Sequence, residues 1–82
     1  MKYMVNSFFR KIGIMKIVKV WFDNEYLYIQ LNTDHVIGNP LNWYSRLLNA
    51  PEEKRLNYEI GPFGESIHWE EIDEDLSLES FF

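Results

Sequence analysis

The pattern of apolar and polar positions is sharpest between Lys16 and Leu31. Lys16-Ile-Val-Lys-Val-Trp-Phe22 and Tyr26-Leu-Tyr-Ile-Gln-Leu31 are rich in β-branched and aromatic residues, and Asp23-Asn24-Glu25 separates them. Such runs around a short polar break predict a β-hairpin. Because side chains alternate across a strand, Val18, Val20 and Phe22 are expected on one face with Leu27, Ile29 and Leu31 beside them, as the core face. Lys19, Trp21, Tyr26, Tyr28 and Gln30 fall on the other. Asn32-Thr33-Asp34 then reads as a second turn, and His35-Val-Ile-Gly38 as a third strand ending at Asn39-Pro40.

The period changes at Pro40. At about 100° per residue, Leu41, Trp43, Tyr44, Leu47 and Leu48 share one arc and Asn42, Ser45, Arg46 and Asn49 the other, which predicts an amphipathic helix to Asn49 that docks on the sheet. Trp43 and Leu47 are its expected core residues. Ala50-Pro51 breaks it, and Pro51 to Arg55 can form a short helical turn with Glu52 and Glu53 at its positive end. Leu56, Tyr58 and Ile60 alternate as a strand. Gly61-Pro-Phe-Gly64 is a turn, Ser66-Ile-His-Trp69 is a strand with Ile67 and Trp69 on one face, and Glu70 to Asp75 links to a last short helix with Ser77 as candidate N-cap.

The predicted class is α+β: a small antiparallel sheet in the order β-β-β-α-β-β with a short C-terminal helix, and one amphipathic helix packed on one face. Residues 1–14 carry neither a strand alternation nor a clean helical stripe. They read as an N-terminal extension before a single domain over 15–82, and a start at Met15 would remove them. That extension could also pack its phenylalanines on the domain or form a basic amphipathic helix.

Eighty-two residues with 46% apolar and 17% aromatic content suit one folded domain. The absence of cysteine excludes disulfides and thiolate chemistry and suits a reducing compartment, so a cytoplasmic location is expected. No apolar run approaches the roughly 20 residues of a membrane span, and no membrane role is expected. Charge adds more. Lys2, Arg10 and Lys11 stand in the first fourteen residues without an acid, which leaves five basic against thirteen acidic side chains from Met15 onward, a balance of −8. Phosphate binding depends on Lys and Arg displacing counterions, so direct nucleic-acid binding is not expected, whereas a small basic protein would be complementary.

Catalytic signatures are few. His35 and His68 alone would titrate near neutrality, no Gly-x-Ser-x-Gly turn flanks a serine, and no glycine-rich loop opens a helix. The run His68-Trp-Glu-Glu-Ile-Asp-Glu-Asp75 could offer an imidazole and carboxylates to a cation, but Leu78 stands where a calcium loop needs glycine, and neither a metal nor another cofactor is expected. The aromatics Trp21, Tyr26 and Tyr28 on the second hairpin face are a stronger lead, because a sheet covered on one side leaves the other wet. Either the extension or the closing Phe81-Phe82 covers them, or they make an intermolecular contact.

The strand pair Lys16 to Leu31, Pro40-Leu41-x-Trp43-Tyr44-x-x-Leu47-Leu48, the Ala50-Pro51 break with Arg55, and Ile67-His68-Trp69 followed by Asp73-Glu74-Asp75-Leu76-Ser77 resemble the small bacterial proteins called Domain of Unknown Function 2442. The resemblance runs from about Met15 to the C-terminus; Asn32-Thr33-Asp34-His35 departs from the family's usual Asp-Gly turn. It implies a compact α+β fold and no established catalytic residues, and its members' gene layouts are similar to toxin–antitoxin pairs. Two functions are therefore carried forward. The first is a non-enzymatic binding or accessory protein of antitoxin type, with Trp21, Tyr26, Tyr28, Glu70, Glu71, Asp73 and Glu74 as its interface; homo-oligomers fit the same surface. The second is a metal-assisted hydrolase or ligand-binding domain using His68 with Asp73 or Asp75.

Overall fold

The computed structural model describes residues 15–82; the extension expected over 1–14 lies outside them. Two three-stranded antiparallel sheets form the fold. The first has the order β1 (Ile17–Phe22), β2 (Tyr26–Leu31), β3 (Val36–Pro40) and the second β4 (Glu59–Ile60), β5 (Ser66–Trp69), β6 (Glu74–Ser77). Between them lie a 3₁₀ turn at Leu41–Trp43 and two single-turn helices, α1 (Ser45–Leu48) and α2 (Glu52–Arg55), and a second 3₁₀ turn, Leu78–Phe81, closes the chain. The class is α+β. In place of one sheet and one long helix, however, there are two sheets with short helical turns between them.

The predicted hairpin forms, with one correction. Ile17 faces Leu31 but Lys19 faces Gln30, so Val18 is the extra residue of a β-bulge. The bulge resets the alternation: Ile17 and Val20 both point into the core, and Val18, expected there, is 53% exposed. On β2 the expectation holds, with Leu27, Ile29 and Leu31 buried.

The helix expected from Pro40 to Asn49 is broken. Pro40 stays in β3 opposite Tyr26, and Tyr44 takes φ −123°, ψ 85°, outside the helical region, between the 3₁₀ turn and α1. Its half-buried ring sends the hydroxyl to the buried Asn39, whose Nδ2 donates at 3.0 Å. A 100° step cannot be carried through such a residue, so the single apolar arc dissolves. Leu41 and Leu47 are buried, Leu48 is exposed, and Trp43 is 64% exposed, not a core residue. Arg55 finishes α1 from outside, its guanidinium donating to the Leu47 and Leu48 carbonyls at 2.7 and 2.8 Å. Leu56, expected to begin a strand, instead ends α2 and is exposed.

A shared core joins the sheets. Trp69, fully buried, meets Phe22 edge-on at 6.4 Å and Tyr58 at 6.3 Å, and its indole N–H donates to the Arg55 carbonyl at 2.9 Å. Ile67, Leu76, Leu78 and Phe81 complete the same cluster with Leu27, Ile29 and Leu47. The acidic stretch is no free link. Glu70 to Asp73 form the β5–β6 turn, closed by the Asp73 amide on the Glu70 carbonyl, and Glu74 already belongs to β6. Ser77 precedes the final 3₁₀ turn without capping it through its side chain.

Candidate functional site

The outer face of the first sheet is built by the alternation that buries its inner face. Tyr26, Tyr28 and Gln30 on β2 stand opposite the buried Leu27, Ile29 and Leu31, and Trp21 faces Tyr28 across β1. The Trp21 and Tyr28 rings stack at 5.4 Å with 14° between their planes, and Tyr26 tilts against Tyr28 at 5.9 Å. Lys19 places its ammonium 5.2 Å from the centre of the Trp21 ring. On the other flank Gly38 lies opposite Tyr28, whose ring covers it so closely that a Cβ there would meet Cε1 at 2.8 Å.

Asp23 fixes this face at the hairpin turn. One carboxylate oxygen accepts the Glu25 and Tyr26 amides, both at 2.7 Å, and the other accepts the Tyr28 hydroxyl at 2.7 Å. The Tyr28 hydroxyl, then the Glu25 and Tyr26 amides, hold the Asp23 carboxyl below its ordinary value. Reciprocally, the bond to Asp23 raises the Tyr28 phenol. Tyr28 is thus held in one orientation, which lets the stack present a defined apolar surface with Tyr26 38% exposed. Phe81 is buried in the shared core and does not cover this face; the alternative cover, residues 1–14, lies outside the described residues.

The acidic residues singled out with these aromatics sit elsewhere. Glu70, Glu71 and Asp73 belong to the turn closing the second sheet and Glu74 to the strand after it, and that sheet meets the inner face of the first through Trp69 and Phe22. Three of the acids have partners: Asn57 donates to Glu71 at 2.6 Å, the Asp75 amide donates to the Glu74 carboxylate at 3.2 Å, and Arg46 on α1 lies 3.6 Å from the Asp73 carboxylate and also donates to the Asp73 carbonyl. The structure therefore brings Trp21, Tyr26 and Tyr28 together and leaves Glu70, Glu71, Asp73 and Glu74 as a separate surface, partly neutralised by Arg46.

His68 and Asp75 face each other across β5 and β6, with Nδ1 and Oδ1 at 2.6 Å. The Asp75 carboxylate raises the imidazole above its ordinary value. Asp73 turns to Arg46, not to this pair, and no group of three or more His, Asp or Glu side chains among the described residues is placed to hold a metal ion.

Sequence alternation placed Lys19 on the face of the aromatics but did not identify Asp23 as their partner. The signal for Asp23 lay in the hairpin register, which brings it back toward Tyr28. Among the described residues no helix is long and apolar enough to cross a membrane. No curated protein and no solved structure matches the chain. Residues 17–82 match the family described as protein of unknown function (DUF2442), a span from the first strand of the hairpin to the last residue, and the chain belongs to that family.

Proposed function

We propose that the protein is a non-enzymatic binding module of antitoxin type, whose ligand is a small basic protein in the cytoplasm. The observation that carries this reading is the Trp21–Tyr28–Tyr26 stack, held by Asp23 on a sheet face outside the core. Preorganised aromatic rings supply contact area at low entropic cost, and Trp and Tyr are the residue types that dominate binding hot spots. The −8 balance from Met15 onward adds long-range attraction for a cationic partner. Charge sets the encounter rate and the rings set the lifetime of the complex.

The test is affinity capture from the native host with the wild-type protein and with Trp21→Ala/Tyr28→Ala as baits, compared by quantitative mass spectrometry. A basic protein retained by the wild type and lost by the double variant supports the reading. Equal recovery with both baits removes the aromatic face from it.

A further inference from the structure

The two edges of the first sheet differ. Along β1 two of the backbone groups that point away from β2 are already used: the Ile17 amide donates to the Gly64 carbonyl at 2.9 Å, and the Val20 carbonyl accepts the Tyr58 hydroxyl at 3.2 Å. The second sheet and its preceding loop thus tie down that edge at Ile17 and Val20. For β3 the direction of each group follows from the ladder. The Leu31 amide donates to the His35 carbonyl, and the Leu41 amide to the Glu25 carbonyl, at 2.9 and 2.7 Å. Hydrogen-bonded pairs recur every second residue in an antiparallel ladder, which makes Ile29–Ile37 and Leu27–Asn39 the bonded pairs between them. Gln30–Val36, Tyr28–Gly38 and Tyr26–Pro40 are the intervening ones. The amides and carbonyls of Val36 and Gly38 therefore point outward, and none has a partner among the described residues, whereas the Pro40 carbonyl is taken up by the 3₁₀ turn it opens.

We infer that the β3 edge is the docking line for an extended segment of the basic partner, which adds to the first sheet as a fourth strand. This rests on the basic-partner reading and specifies how that partner binds. Main-chain hydrogen bonds to Val36 and Gly38 supply register and affinity. On the outer face such a strand runs beside Val36, 53% exposed, and the Tyr28 ring over Gly38, so the aromatic surface and the edge are continuous. Charge selects the occupant. Asp34 stands two residues before β3, and beyond Pro40 a cleft lined by Glu25, Tyr26, Leu41, Trp43 and Leu48 continues its line. A carboxylate beside an exposed indole suits a Lys or Arg side chain, whose stem lies on the apolar wall while its head meets the acid and the ring. A second copy of this chain would bring a like net charge of −5.

The probe is a blocked eight-residue peptide alternating arginine with valine, with a glutamate–valine peptide as control, titrated into isotopically labelled full-length protein. Binding of the arginine peptide is expected to protect the Val36 and Gly38 amides from exchange. Val36→Pro removes an outward amide without touching the bond to β2, a position where edge strands accept proline. It is expected to weaken binding about tenfold or more, as loss of a main-chain bond and of strand fit implies. Glu25→Gln is expected to weaken it roughly threefold at low salt and less at high salt. Should Val36→Pro unfold the protein, an arginine peptide N-methylated on its sheet-facing amides serves against the wild type, again about tenfold weaker. Arginine-peptide binding that leaves both amides unchanged overturns the edge while sparing the basic-partner reading. Equal binding of the glutamate peptide at the edge overturns the basic partner instead. Protection of these amides by concentration-dependent dimerisation alone, or no binding of either peptide, overturns the inference.

Discussion

The Gly64 carbonyl accepts the Ile17 amide at 2.9 Å, so the turn of the second sheet is bonded directly to the first strand of the first. Gly64 has φ +68°, and a Cβ on it would lie 2.9 Å from the Lys16 Cα and 3.0 Å from the Ile17 nitrogen. Backbone cannot move aside as a flexible side chain can. Gly64→Ala is therefore expected to cost about 1–3 kcal/mol from the left-handed conformation, with the steric clash added to it. Urea unfolding measures the sum; a change under 0.5 kcal/mol would show that the two sheets are not locked at this turn.

Leu47 and Trp43 separate a buried from an exposed side chain four residues apart. Leu47 is fully buried in the shared core, so Leu47→Ala should cost about 2–5 kcal/mol. Trp43→Ala should stay within about 0.5 kcal/mol of the wild type, as exposed positions usually do. Matched losses at both positions would restore the continuous helix that the Tyr44 backbone excludes.

The His68–Asp75 pair links stability to pH. Asp75 raises the imidazole from its ordinary 6.5, so the protonated form is favoured by the folded state. The stabilisation is fully present below about 6.5 and is lost as pH rises through the raised folded value. A proton NMR titration of His68 should give a midpoint above 6.5 that falls in Asp75→Asn. An unchanged midpoint in that variant would show the contact to be absent in solution.

The phenol of Tyr28 gives a parallel readout of the aromatic face. Its bond to Asp23 raises it above its ordinary 10.0. Asp23→Asn should lower the Tyr28 midpoint in an ultraviolet or NMR titration and loosen the ring's stacking on Trp21. Loss of the midpoint shift with the stack intact would mean that Trp21 and Gly38 alone orient the ring.

Much of the first sheet was legible because alternation is local. Leu27, Ile29 and Leu31 on one side and Trp21, Tyr26 and Tyr28 on the other follow from strand geometry alone. Val18 was misplaced because a bulge is decided by register with a partner strand, which no single-strand pattern carries. Trp43 was misplaced because the Tyr44 backbone depends on a bond from Asn39. The second sheet was half legible: Ser66 to Trp69 read as a strand, while Glu74 and Asp75, poor strand formers, hid β6 inside an acidic run. The outward edge of β3 depends on hydrogen-bond parity across two turns and left no trace in the pattern of apolar residues.

On the proposed function, the outer face bearing Trp21 and Tyr28 meets a basic protein in the cell. A photo-crosslinking amino acid at position 21, with position 53 on the exposed helix α2 as control, tests this by mass spectrometry of adducts formed in the living host. The expected result is one dominant adduct from position 21 to a protein of net positive charge, absent from position 53. Adducts only to a second copy of the chain, only to acidic proteins, or equal from both positions would contradict it.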